Sequence, residues 1–244
     1  MAMRAPEIDT VVFDLDGTLV DTAPDLIHAL NYSLQSIGRP AVDPMLVRSL
    51  AGHGARALLE AGLALSGDVP DELIARAIPV FLDHYAANIC THSAPYPGLE
   101  AALEDLRAAG FRLAICTNKP EGLANRLVES LGWADLFAAV IGGDSLPVRK
   151  PDPLPLLTAI ARTDGTRAIF VGDSAVDIDT AKAAAMPSIA VGFGFSDVCA
   201  SQLGADLHID HFDRLAAAVR AIAAPGPLRA ERVTPGPGRA TAAA

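Results

Sequence analysis

Aromatic residues are scarce, at 5% of a 244-residue chain, so alanine and leucine do most of the apolar work. Positive charge is short as well: 19 Lys and Arg stand against 29 Asp and Glu, for a formal net charge of -10. A chain this acidic is poorly matched to the phosphate backbone of nucleic acids or to an anionic membrane surface. Small anionic substrates stay open, because a local cluster or a bound cation reverses the field. Cysteine is limited to Cys90, Cys116 and Cys199, scattered and without a CxxC pair. Neither a zinc ribbon nor a disulfide scaffold is supported, and each cysteine reads as a small apolar residue in a reducing compartment. No stretch reaches the roughly 18 apolar residues of a membrane span. Met1–Asp9 has no apolar run of signal-peptide length, so a cytoplasmic location is expected.

With 51% hydrophobic and 20% charged residues, the composition is that of a globular protein with a sizeable core. Short β-rich runs alternate with helical patterns, which predicts an α/β fold, doubly wound around a mostly parallel sheet. The strand candidates are Thr10–Leu15, Arg112–Thr117, Ala138–Gly142, Arg167–Gly172 and Ser188–Gly192, with Leu207–Ile209 as a weaker one. Several are almost continuously apolar, as strands covered on both faces should be.

Between the first two strands the alternation stops for almost a hundred residues. Leu26, Leu30, Leu34 and Ile37 keep helical spacing before Gly38. Asp43 and Pro44 form an N-cap and N1 pair that predicts another helix. Leu73, Ala77, Phe81 and Tyr85 predict a further one, in which Pro79 should cause a kink or break. The economical organisation is a core of residues 1–20 and 95–224 with a helical lid, 21–94, inserted into it. Thr91–Gly98 is the return hinge. Residues 225–244, rich in Pro, Gly and Ala, are expected to be a disordered tail.

Candidate chemistry gathers where strands end, which is where open parallel sheets bind ligands. The first strand runs into Asp14-Leu15-Asp16-Gly17-Thr18, with two carboxylates on one side of an extended backbone. Such a pair needs a cation, a proton or a basic partner. A strand-end turn with capping aspartates explains Asp16-Gly17 but leaves Asp14 over. The second strand ends at Thr117-Asn118-Lys119-Pro120, where a hydroxyl and free N–H groups suit either a phosphate oxygen or a plain helix cap. Lys150, in Arg149-Lys150-Pro151-Asp152-Pro153, is a surface charge or an anion partner. Asp173 ends the fourth strand, and Asp177 either caps the next helix through Ser174 or serves the site. In the lid, Gly52-His53-Gly54-Ala55-Arg56 predicts a close backbone approach. Arg56 could meet a substrate carboxylate there, with a flexible turn and an exposed arginine as the alternative.

Taken together, DLDGT, the CTN hydroxyl, the RKPDP lysine and GDSAVD resemble the four motifs of the haloacid dehalogenase-like hydrolases, over Val11 to about Gly194. That resemblance implies a Rossmann-like core with strand order 5-4-1-2-3 and a cap domain after the first motif. The phosphatases of the family carry the second aspartate and the true dehalogenases lack it, so Asp16 implies phosphoryl transfer. Asp14 is then the nucleophile, Asp16 the proton donor and later the base, and Thr117, Asn118 and Lys150 the phosphate ligands. Mg2+ would sit on Asp14, the Asp16 carbonyl and Asp173, with Asp177 behind them. DLDGTLVDTAPDL, GHG, FLDHYAAN, YPG and KPDPLPLL are similar to the phosphoglycolate phosphatase subgroup, which implies 2-phosphoglycolate as substrate. N-acetylmuramate 6-phosphate, another sugar phosphate, a nucleotide or pyrophosphate, and phosphomutase chemistry are the alternatives. A noncatalytic phosphoaspartate receiver module stands outside that group. The expected partner is a small phosphorylated metabolite.

Overall fold

In chain order the strands are β1 (Thr10–Phe13), β2 (Val20–Asp21), β3 (Ala94–Pro95), β4 (Arg112–Cys116), β5 (Ala139–Ile141), β6 (Ala168–Gly172), β7 (Ser188–Val191) and β8 (Leu207–Ile209). They come from a computed structural model that describes residues 8–224. The tail expected at 225–244 lies outside the described residues. Six strands form one parallel sheet, ordered β5-β4-β1-β6-β7-β8, while β2 and β3 pair antiparallel on their own. Counted without that short pair, the order is the expected 5-4-1-2-3 with a sixth strand added at the β7 edge.

The apolar runs divide by alternation into two cores. Val11, Phe13, Leu113, Ile115, Ile169 and Val171 belong to one cluster. Val12, Ala114, Cys116, Ala168 and Phe170 belong to another. A two-residue side-chain period thus buries both faces of the central strands. Helices α4 (Leu99–Ala108), α5 (Glu121–Ser130) and α8 (Leu215–Ala223) cover the first face, and α6 (Leu154–Arg162) covers the second. Asp14, directly after β1, still donates its N–H to Val171 O at 2.9 Å. The β1 end is therefore fixed between its neighbours, which is what aims Asp14.

Between β2 and β3 run α1 (Ala23–Ser36), α2 (Ala55–Ala64) and α3 (Asp71–Ala87), whose buried faces continue the first core. Asp43 does cap through its side chain, but it opens only a three-residue 3-10 turn, Pro44–Leu46, followed by a second 3-10 turn, Arg48–His53. A cap is a local signal: it fixes where a turn begins and not how far a helix runs. Pro79 breaks nothing: α3 runs through it as one element. Buried Ile74, Ala77, Phe81 and Tyr85 hold the turns on both sides, and Ser33 Oγ donates to the Ala77 carbonyl at 3.0 Å. Tertiary packing here outweighs the lost backbone donor.

The segment that returns from α3 to β3 is tied by a buried carboxylate. Asp25, near the start of α1, accepts from the N–H of His92 and from both the N–H and Oγ of Ser93. Cys116 is buried as expected, whereas Cys199 is exposed and does not serve as a core residue. None of the described helices is long and apolar enough to cross a membrane.

Candidate active site

The chain leaves strand geometry after Phe13 and turns at Gly17, whose φ of +82° lies in the left-handed region. This turn separates the two aspartates, so each has its own cation. The Lys150 ammonium stands 2.8 Å from Asp14 Oδ1, as an ion pair rather than an aligned hydrogen bond, and 2.6 Å from Asp177 Oδ1. Asp16 instead receives Lys119 Nζ at 2.9 and 3.1 Å and the Thr22 hydroxyl at 2.7 Å. Each carboxylate thus has a basic partner, as a close acidic pair requires.

Asp173 follows β6 and is fixed by Thr18 Oγ1 at 3.1 Å and Phe195 N–H at 2.8 Å. Glycine makes room for it from two sides. A Cβ on Gly17 would come within 2.7 Å of Asp173 Oδ2, and one on Gly194 within 2.3 Å of Asp173 Cβ. Asp177, at the start of α7 (Ala175–Ala183), has both functions open in the sequence. One oxygen caps the helix through Ser174 N and Oγ, and the other holds Lys150. Thr117 is buried at the end of β4 and its hydroxyl oxygen accepts from Lys119 N–H, which leaves the proton to donate. Asn118 Nδ2 donates to the Lys150 carbonyl at 3.1 Å and so ties the two loops together.

Three buried carboxylates, Asp14, Asp173 and Asp177, bring oxygens within 4.8 Å of one another, and the Lys150 ammonium pairs with two of them, Asp14 and Asp177. Burial pushes the Asp14 carboxyl up to about 6 against the pull of Lys150, with Asp177 and Asp16 adding to the rise. Burial also pushes Asp173 up to about 7, helped by repulsion from Asp177 and Asp14. Burial opposes the charge on Lys150, but Asp14 and Asp177 prevail and hold it above the ordinary lysine range. The excess negative charge and the all-oxygen donor set fit a hard divalent cation.

Asp14, Asp16, Thr117, Asn118, Lys150, Asp173 and Asp177 therefore meet at one end of the sheet. His53 and Arg56 do not join them. His53 is exposed, and Arg56 is engaged by Glu60 and Asp71, each at 2.7 Å, on the surface of the helical insertion. The chain's own acids occupy the guanidinium that was expected to meet a substrate. The arginine of the helical insertion that does approach the core is Arg48. It pairs with Asp21 at 2.7 Å and lies 5.6 Å from the centre of the Phe195 ring.

Lys119 and Tyr85 escaped the sequence. Lys119 is buried against Asp16 and also donates to Tyr85 Oη at 2.7 Å. Asp16 and Tyr85 more than offset the burial, so the ammonium stays charged. A legible signal existed: a lysine just ahead of a helix N-terminus faces an unfavourable dipole and needs an acidic partner. Tyr85 fits the apolar stripe of α3, which conceals its hydroxyl.

A family model of haloacid dehalogenase-like hydrolases matches residues 8–185. The chain belongs to that family. A phosphoglycolate phosphatase of Mesorhizobium japonicum is 47% identical over 210 residues, covering 84% of this chain and 92% of the relative. One from Caulobacter vibrioides is 44% identical over 206 residues, covering 83% and 87%. Among solved structures, that of a predicted phosphoglycolate phosphatase from Haemophilus somnus superposes with a TM-score of 0.81 at 29% identity, over 87% of this chain and 98% of that one. Within the family the chain is an enzyme of the phosphatase type, and the receiver-module alternative falls away.

Proposed function

We propose that the chain is a magnesium-dependent phosphomonoesterase that forms an aspartyl-phosphate on Asp14 and hydrolyses 2-phosphoglycolate to glycolate and phosphate. The carrying observation is Asp14 itself, a buried carboxylate at the end of the central strand, beside the Lys150 ammonium and two further acids. Kinship with proteins named phosphoglycolate phosphatase supports the substrate.

Asp14 attacks phosphorus in line with the ester oxygen. The P–O ester bond breaks, and Asp16 gives its proton to the leaving alkoxide. Water then attacks the phosphoryl group while Asp16 takes its proton. The bond from Asp14 to phosphorus breaks, which restores the carboxylate and releases phosphate. Lys150 and the Thr117 hydroxyl bind phosphoryl oxygens, Asn118 holds the loop of Lys150 in place, and Asp177 fixes its ammonium. Asp14, Asp173 and the Asp16 carbonyl are the groups that would hold Mg2+. When bound, Mg2+ would offset the repulsion between an anionic nucleophile and an anionic ester. Residues 21–94 act as the lid over a core of 1–20 and 95–224, in a cytoplasmic enzyme.

The first test is phosphate release. Folded protein with Mg2+ should hydrolyse an aryl phosphate, and background turnover would sink the assignment. Across phosphoglycolate, N-acetylmuramate 6-phosphate, other sugar phosphates, nucleotides and pyrophosphate, phosphoglycolate should lead in kcat/KM by about tenfold or more. Another leader would replace the substrate and keep the chemistry.

The second test concerns the cation. Without metal, the raised Asp14 and Asp173 keep protons in the folded chain that the unfolded chain loses near pH 4. Their contribution to stability is complete below that pH and disappears as pH climbs through about 6 to 7. Mg2+ should therefore raise Tm more at pH 8 than at pH 5, as read by differential scanning calorimetry. Equal increments at the two pH values would remove these acids from the cation site.

A further inference from the structure

Phosphoryl transfer at Asp14 leaves Lys119 without a task. Its ammonium is buried, with the side chain 3% exposed, between the Asp16 carboxylate of the core and the Tyr85 hydroxyl of α3 in the lid. Tyr85 is the acceptor in that contact. Its own proton remains to be donated, and no acceptor for it occurs among the described residues. A purely structural partner for Asp16 needs no second element, yet here a phenol crosses from the lid to the same ammonium. The ammonium is balanced by Asp16, but a buried phenolic O–H with no acceptor is costly unless a ligand accepts from it.

Position says what that ligand is. As proton donor, Asp16 lies within hydrogen-bond reach of the ester oxygen. Lys119 lies one hydrogen bond beyond Asp16. A group joined to the ester oxygen through a single carbon falls in this shell. The phenolic O–H is free to donate, and the ammonium, which gives two of its three bonds to Asp16, can pass one of them to a second oxygen, so the pair matches the two oxygens of a carboxylate.

We propose that Lys119 and Tyr85 form a carboxylate subsite that selects phosphate esters of short 2-hydroxy acids; this rests on the phosphomonoesterase assignment with Asp16 as proton donor. The lid supplies one donor and the core the other, so a carboxylate bridges them. The subsite takes the place that Arg56, turned toward Glu60 and Asp71, does not fill.

The test compares 2-phosphoglycolate with ethyl phosphate, an ester of similar length that lacks the carboxylate. Lys119→Met should lower kcat/KM for phosphoglycolate about thirtyfold more than for ethyl phosphate. Tyr85→Phe should shift the same ratio about tenfold, mainly through KM. Equal losses on both esters would confine Lys119 to holding Asp16 and overturn the subsite, as would no loss on either. Calorimetric titration of the magnesium-loaded wild type needs no variant. Glycolate should bind about tenfold or more tightly than uncharged glycolamide. Equal binding overturns the subsite even where turnover is intact. Selective binding without any phosphate release overturns the phosphomonoesterase assignment and leaves the subsite standing.

Discussion

Asp14→Asn should abolish phosphate release, with kcat falling by at least about four orders of magnitude, while the chain stays folded. The amide keeps the shape of the side chain and loses the nucleophilic oxygen. Its effect on stability follows from the surroundings. Burial together with Asp177 and Asp16 already pushes the Asp14 carboxyl toward its neutral form, up to about 6 against the pull of Lys150. At pH 8 the ionised group is held at a cost, so a neutral amide should leave Tm in metal-free buffer equal to or above the wild-type value. Mg2+ should then raise the Tm of the variant less than that of the wild type, because one of its carboxylates is gone. Activity within tenfold of wild type would refute the nucleophile. A collapse of Tm would show that the pair with Lys150 matters more to the fold than the repulsion does.

Lys150→Met should strike stability as well as turnover. The ammonium is 2% exposed and lies between Asp14 and Asp177. Its removal leaves two buried carboxylates facing each other without compensation. Losing one partner of a buried pair costs about 3–5 kcal/mol. Chemical denaturation of the metal-free protein at pH 8 should show a loss of that order, and phosphate release should disappear with it. Adding Asp177→Asn should recover part of the stability, since one of the stranded charges is removed, but none of the turnover. A loss below about 1 kcal/mol for Lys150→Met would mean that water reaches these acids and screens them.

What the sequence made legible was whatever depends on short-range pattern. Each parallel strand is a run of apolar residues with little interruption; β6 ends at Gly172 as expected, while β1 stops two residues and β4 one residue short of the expected ends. Asp14 and Asp173 stood out because a carboxylate at the end of a doubly buried strand has few ordinary explanations, whereas Thr117 read equally well as a helix cap. Asp177 was ambiguous, and the ambiguity was real, since its two oxygens serve two purposes. The helical insertion was read less well because its conformation depends on partners distant in the chain. The helix expected after Asp43 is two 3-10 turns, because a cap marks a start and says nothing of length. Pro79 was accommodated because packing on Ala77 and Phe81 holds the turns around it. His53 and Arg56 looked like ligands by composition, but Arg56 found Asp71 on the next helix, a contact no local pattern announces. Lys119 and Tyr85 were hidden for the same reason: their meaning lies in an encounter across the lid boundary.

The paired β2 and β3, clasped by Asp25, carry a consequence for how such enzymes diversify. The excursion starts and finishes at neighbouring residues, Val20 beside Pro95 and Asp21 beside Ala94. Whatever is spliced between them leaves the register of the six-stranded sheet untouched. New upper storeys can be fitted over an unaltered furnace, so that the guest changes while the fire beneath it burns the same way.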